Sequence, residues 1–403
     1  MSTFALFQLL LLGLIVASGP LAYVWARRGS GSSSGAGQGD AAALRGAAAR
    51  QRKLVWVIAF FTFDLILFGA FMRLTDSGLG CPDWPGCYGT SNPLAAHAAI
   101  KAAETAMPTG PVTVTKAWIE MIHRYLAMGA GVLLIALVAV SWRNWLDQRK
   151  DPAHAPWHAL ALLALVCVQG AFGAWTVTLK LMPLIVTIHL LLAVTLLCAL
   201  GTLGAYLSAT PAQKPAINPA AKLSTAPGPR ALVTFALIAV FIQIALGGWV
   251  STNYAVLACP DFPLCHGEVL PSRADFASGF ELLRPLGVRA DGALLPYEAL
   301  VAIHWTHRAF ALVVSAAVLW AAALVLQRAS ADAQAIRYAR WLIALLVLQV
   351  LTGVSNVVFS WPLFVAVVHN GGAAALAFVL ALLRTRFAPQ AAPRYAPAQA
   401  VLS

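Results

Sequence analysis

The chain has 403 residues, 60% of them hydrophobic and only 10% charged, with a mean hydropathy of +0.77. A soluble globular domain carries about 25% charged residues, so this composition excludes one and points to an all-α integral membrane protein. The net charge of +12 does not read as a nucleic-acid footprint, because the basic residues cluster between apolar runs as a membrane topology requires.

In chain order, candidate spans fall at 4–26, 54–72, 118–141, 157–178, 183–207, 231–251, 298–326, 339–360 and 363–383. One set of alternate connections (27–53, 142–156, 208–230, 327–340 and the tail after 383) holds 18 of the 27 Lys and Arg residues. The opposite set holds seven, spread over two long loops and the 179–182 turn. Basic residues near span ends stay cytoplasmic, so the long loops are expected outside and the C-terminus inside. No basic residue precedes Phe4, while Arg27 and Arg28 follow the first span, which therefore reads as an uncleaved helix. Residues 29–44, GSGSSSGAGQGDAAAL, read as a flexible linker, and the first helix is given no part in the chemistry.

The chain repeats itself. Aligning Cys81 with Cys259, an offset of 178, also superposes Gly69 on Gly247, Pro85 on Pro263, Cys87 on Cys265, His123 on His307 and Arg124 on Arg308. An offset of 180 then pairs Gln169 with Gln349, Gly173 with Gly353 and His189 with His369. Residues 54–207 and 231–386 are thus two tandem four-helix transmembrane bundles, joined by a 208–230 cytoplasmic linker. Residues 1–53 precede them and a 387–403 tail follows. Four spans per unit is an even number, so both enter the membrane alike, related by a pseudo-twofold along its normal.

Four of the nine histidines lie inside spans at matched positions: His123, His189, His307 and His369. A lone intramembrane histidine is usually a helix–helix hydrogen bond, but two matched pairs favour function. Counted from the outer span ends, His123, His189 and His369 lie about 8–9 Å deep at 1.5 Å per residue. Two imidazoles at one depth on two helices can ligate one haem iron, and no carboxylate or cysteine cluster is present to build a zinc site. The remaining histidines, His97, His154, His158 and His266, fall in loops or at span edges. Arg124 and Arg308, next to the ligand candidates, reach either a haem propionate or interfacial phosphates, and simple snorkelling also accounts for them.

The cysteine pairs share a C-x5-C spacing in the outer loops, where disulfides are permitted. Local pairing is favoured among the three connectivities that four cysteines allow, either as a structural clip or as a redox-active pair. Cys167 and Cys198 are packing residues inside spans. The halves differ three residues before the ligand candidate, where the first has Glu120 and the second His304. An i−3 residue shares the histidine's face, so Glu120 can stabilise a cation or manage protons. The plainer alternative is a helix N-terminal acid in the first turn.

RLTDSGLGCPDWPGCYG at 73–89, the IEMIHR segment at 119–124, the matched His189 and His369 and the tandem plan together resemble the haem A synthase family over about 54–386. The resemblance implies oxidation of the C8 methyl of haem O to a formyl group by successive hydroxylations with water-derived oxygen. It implies His123 and His189 as ligands of the substrate haem, Glu120 as the catalytic residue, and His307 and His369 as ligands of a haem b cofactor. It also implies Cys81–Cys87 and Cys259–Cys265 as disulfides, and a multi-pass protein of the bacterial inner membrane with extracytoplasmic Cys loops. Partners implied are a haem O synthase, cytochrome oxidase assembly factors and an electron acceptor of unassigned identity. Two other readings stand beside it: a dihaem b electron-transfer protein, and a membrane thiol–disulfide oxidoreductase.

Overall fold

A computed structural model describes residues 3–26, 36–147, 156–208, 228–329 and 332–387. Among these, the secondary structure is helical apart from turns and three isolated bridges. The helices are α1 (Thr3–Trp25), α2 (Ala36–Leu74), α3 (His97–Ala106), α4 (Val114–Asp147), α5 (Trp157–Thr178) and α6 (Pro183–Ser208). The second half supplies α7 (Pro229–Thr252), α8 (Phe276–Gly279), α9 (Tyr297–Arg328), α10 (Ala333–Val358) and α11 (Leu363–Arg386). Nine of these are long and apolar enough to cross a membrane, in agreement with the nine predicted spans.

Packing follows the repeat. In the first half α2, α4, α5 and α6 form a closed ring of neighbours, and α7, α9, α10 and α11 do the same in the second. The halves meet through α2 with α11, α6 with α7 and α6 with α11, a set that maps onto itself when the repeats are exchanged. The outer ends of α2 and α7 report the axis directly. Arg73 donates to the Ser251 carbonyl, and Tyr254 Oη donates to Asp76 Oδ1 at 2.6 Å. Both pairs are 178 residues apart, so each residue bonds to its own repeat-equivalent, as residues lying on a twofold must. The Arg73 guanidinium also lies 4.1 Å from the Tyr254 ring centroid.

Three expectations change. Of the segment read as a linker, residues 36–44 are helical, because its alanines let α2 extend inward from the apolar span; residues 27–35 lie outside the described residues. The linker core at 209–227 and the tail from 388 also lie outside them. Second, α4 begins at Val114, before the predicted span, so His123 sits about one turn deeper along its helix than the span end implied, while α9 begins at Tyr297, within a residue of its predicted start. Glu120 is then past the first turn, and the helix-terminal explanation of it fails.

Third, α1 is not a bystander. It packs on α4 through two glycine contacts: a Cβ on Gly13 would lie 3.0 Å from Met128 Cβ, and one on Gly129 would lie 2.5 Å from Val16 Cγ1. Its Leu9 and Leu10 line the cavity of the first half, and Gln8 accepts a 2.5 Å hydrogen bond from Ser91 Oγ. Small residues allow this close approach where lipid gives helices no hydrophobic reason to associate.

Candidate functional site

Each four-helix ring encloses one cavity toward its Cys-loop end. The first measures about 480 Å³ and the second about 290 Å³. His123 and His189 line the first; His307 and His369 line the second. The cavities share a wall made of Leu74, Leu190, Gly248, Ser251 and Asn370, so the two sites adjoin at the interface between halves.

Each histidine lies against a glycine of the neighbouring helix. A Cβ on Gly69 would sit 3.4 Å from His123 Cε1, on Gly173 3.2 Å from His189 Cε1, on Gly247 2.9 Å from His307 Cε1, and on Gly353 3.3 Å from His369 Cε1. The repeat-conserving glycines in the sequence are therefore the floors on which the imidazoles rest. Glutamine holds the backbone behind three of the four: Gln169 donates to the His189 carbonyl (3.0 Å), Gln349 to that of His369 (3.1 Å) and Gln243 to that of His307 (3.0 Å). The position equivalent to Gln243 in the first half is Leu65. His123 instead stacks on Phe68, with ring centroids 5.9 Å apart.

The Cys loops close over the cavities in the same way in both halves. The disulfides Cys81–Cys87 and Cys259–Cys265 are formed. The Asp83 carboxylate accepts the amides of Tyr88 (2.6 Å) and Gly89 (2.7 Å), and Asp261 accepts those of His266 (2.7 Å) and Gly267 (2.8 Å). Those amide bonds, led by that of Gly267, hold the exposed Asp261 carboxyl below its usual range. Trp84 and Pro85 line the first cavity and Phe262 the second, which makes each loop a lid. The first lid lies so close on α4 that a Cβ on Gly80 would be 2.5 Å from the Lys116 carbonyl carbon.

The arginines hold these lids down. Arg124 donates to the Asp83 (2.8 Å) and Gly86 (2.6 Å) carbonyls, and Arg308 to those of Asp261 (2.7 Å), Leu264 (3.0 Å) and Cys259 (2.7 Å). Arg124 also pairs with Glu120, and both arginines line the cavities. Glu120, 2% exposed, completes the clamp: Oε2 accepts the Cys81 amide at 2.8 Å and Oε1 pairs with Arg124. In the second half His304 faces the equivalent two groups, with Cys259 N 3.1 Å from Nδ1 and Arg308 Nε 3.1 Å from Nε2, of which a neutral imidazole accepts a hydrogen bond from one. His304 thus meets the lid while also lining the second cavity. Both residues tie lid to helix; Glu120, unlike His304, brings a carboxylate to its cavity wall, where Asp76 also lies.

Two features escaped sequence reasoning. The cross-half cluster of Arg73, Asp76, Ser251 and Tyr254 puts a further cation, Arg73, on the first cavity's wall, and only folding brings these residues together. Arg284 in the second long loop is completely buried, donating to Asn253 Oδ1 at 2.6 Å and lying 5.6 Å from the Trp249 ring centroid. Burial lowers its pKa from the usual arginine value, and nothing in the loop's sequence marks it as an anchor.

Among the described residues, no three of His, Cys, Asp or Glu converge as a zinc or non-haem iron site would need. Two glycine-backed imidazoles per apolar cavity are instead the donor set of axial haem ligation. The fold and site therefore define a polytopic helical membrane protein built by duplication, with one lidded two-histidine cavity in each half. Residues 52–381 match the model of the COX15-CtaA family, described as cytochrome oxidase assembly protein, and the chain belongs to that family. It is similar to proteins named heme A synthase: that of Shewanella oneidensis is 37% identical, covering 81% of this chain and 94% of the relative. Those of Hyphomonas neptunium (28% identical, 79% and 88% covered) and Sphingopyxis alaskensis (29%, 81% and 89%) follow the same pattern.

Proposed function

We propose that the chain is a haem A synthase of the bacterial inner membrane, its Cys loops extracytoplasmic and its C-terminus cytoplasmic. The first bundle (54–207) takes haem O between His123 and His189, and the second (231–386) holds haem b between His307 and His369. The observation that carries this reading is one architecture used twice with a carboxylate, Glu120, on the first cavity's wall where the second has His304. A protein that only passed electrons between two equal haems has no use for that difference. A thiol–disulfide oxidoreductase has no use for four glycine-backed histidines.

The substrate's C8 methyl gains oxygen from water in two hydroxylations, and the resulting geminal diol loses water to give the formyl group. Overall, the methyl and one water yield the formyl, four protons and four electrons, the electrons passing to an external acceptor. A bound haem b would supply a one-electron carrier beside the substrate, across the wall that the two cavities share. The chain's own part is positional and electrostatic. The imidazoles orient the macrocycle, the lid and α1 cover it, and Glu120 takes up protons at the lid edge. Haem O, with its apolar tail, enters laterally from the bilayer; a haem O synthase and oxidase assembly factors are the expected neighbours.

Haem extraction and chromatography of the purified protein, from cells with and without a haem O supply, tests the assignment. Haem O or haem A together with haem b supports it, haem b alone supports the electron-transfer reading, and no haem supports the thiol reading. Isotope labelling tests the chemistry: formyl oxygen drawn from O₂ instead of water overturns it.

A further inference from the structure

The two repeats differ in what meets the imidazole nitrogens. In the second half, Thr352 Oγ lies 2.9 Å from His369 Nδ1. The threonine has a single hydroxyl proton, and Oγ is also 2.7 Å from the Leu348 carbonyl and 3.3 Å from that of Gln349. A carbonyl cannot donate, so the hydroxyl proton points to the backbone and Oγ presents a lone pair to the ring. His369 must then donate from Nδ1–H, which leaves the Nε2 lone pair for a ligand. His307 Nδ1 is also contacted, but in the opposite sense: Gln243 Nε2, 3.1 Å away, is an amide nitrogen that can only donate.

In the first half both partners are gone. The position equivalent to Thr352 is Phe172 and that equivalent to Gln243 is Leu65. Nδ1 of His189 and Nδ1 of His123 are both buried without a hydrogen-bond partner among the described residues. Gln169 and Gln349 hold the two histidine carbonyls alike, and Gln169 Nε2 also lies 3.4 Å from His189 Nε2. The difference is therefore confined to the groups that would orient the rings.

We propose that Thr352 is a positioning residue that holds His369 in its Nδ1–H tautomer as a Nε2 iron ligand, making the second cavity the retentive site. Phe172 at the equivalent place leaves the first cavity without that restraint, as suits a site that must release its product. This inference rests on the haem assignment above. Partners of this kind orient a ligating histidine and raise its basicity, and their loss typically weakens metal binding about 10- to 100-fold.

The test uses the full chain in detergent, loaded in cells that supply haem O. Haem transfer to excess apomyoglobin is followed, and the low-spin haem b is titrated for its midpoint potential. The unchanged protein is expected to lose haem in two phases, the slow one being haem b. Thr352→Val, which keeps shape and removes the acceptor, is expected to speed the slow phase about tenfold or more and to raise the haem b potential. Thr352→Ser is expected to restore both. A slow phase and potential unchanged in Thr352→Val overturn the inference while leaving the haem assignment standing. An unchanged protein that carries no haem overturns both. Should Thr352→Val fail to accumulate, Thr352→Ser paired with Thr352→Cys, a weaker acceptor, gives the same comparison, and equal slow phases overturn the inference.

Discussion

The glycine floors allow the sharpest test, because the structure ranks them. Carbon atoms meet without repulsion at about 3.5–4.0 Å. An alanine Cβ at position 247 would stand 2.9 Å from His307 Cε1, so the ring must retreat by roughly 0.6 Å to reach an ordinary contact. At position 69 the same atom would be 3.4 Å from His123 Cε1, which demands almost nothing. Overpacking of this kind costs about 1–3 kcal/mol, and functional geometry tolerates about 0.5 Å. Gly247→Ala is therefore expected to weaken haem b binding roughly 5- to 100-fold, taking about 1.4 kcal/mol per decade of affinity. Gly69→Ala is expected to keep its ligand. Alanine is the better helix former by about 1 kcal/mol in a helix interior, so neither change weakens the helices as such. The assay is haem content per chain by pyridine haemochrome, with thermal unfolding as a second readout. Equal haem content in the two variants, or loss in Gly69→Ala alone, refutes the idea that these glycines seat the imidazoles.

Other outcomes follow from the same geometry. Glu120→Gln keeps an acceptor for the Cys81 amide but removes the carboxylate, so both haems are expected to stay while haem A formation falls at least a hundredfold; unaffected haem A formation removes Glu120 from the chemistry. Arg284→Met leaves Asn253 Oδ1 without its buried donor and is expected to cost about 1–3 kcal/mol, read as a lower melting temperature and faster proteolysis of the second long loop. For Asp261 the sign runs from a depressed carboxyl. Its contribution is fully present above the unfolded value of 3.8 and is lost as pH falls through the lower folded value. Protection of the His266 and Gly267 amides from hydrogen exchange is thus expected to hold from pH 8 to 5 and to fail only below about 4. Loss of protection between pH 7 and 5 contradicts this. Tyr254→Phe removes a bond across the pseudo-twofold and is expected to lower stability by about 0.5–1.5 kcal/mol, detectable by thermal unfolding.

Much of this was legible in the residues alone. Apolar length sets the nine spans, since backbone groups in a bilayer must be satisfied within a helix. The duplication, the four histidines and their glycines follow from aligning the chain with itself, because equivalent residues do equivalent work in both halves; local cysteine pairing was favoured by the C-x5-C spacing and implied by the resemblance. Where sequence reasoning went astray, the cause was local propensity met by tertiary context. Residues 36–44 read as a linker yet extend α2, and α4 runs outward beyond its apolar span to where a lid packs on it.

What only the tertiary structure decided concerns pairs distant in the chain. That Arg124 and Arg308 pin the lids, that His304 replaces Glu120 as a clamp, and that α1 walls one cavity all depend on which helices adjoin. The spacing of residues along one helix states which face they share, but not what stands opposite. For Thr352 and Phe172 the sequence offers two unremarked letters at matched positions. Only the packing of α10 on α11 turns one of them into an acceptor for a histidine nitrogen, because a hydrogen bond is settled by a few tenths of an ångström between helices.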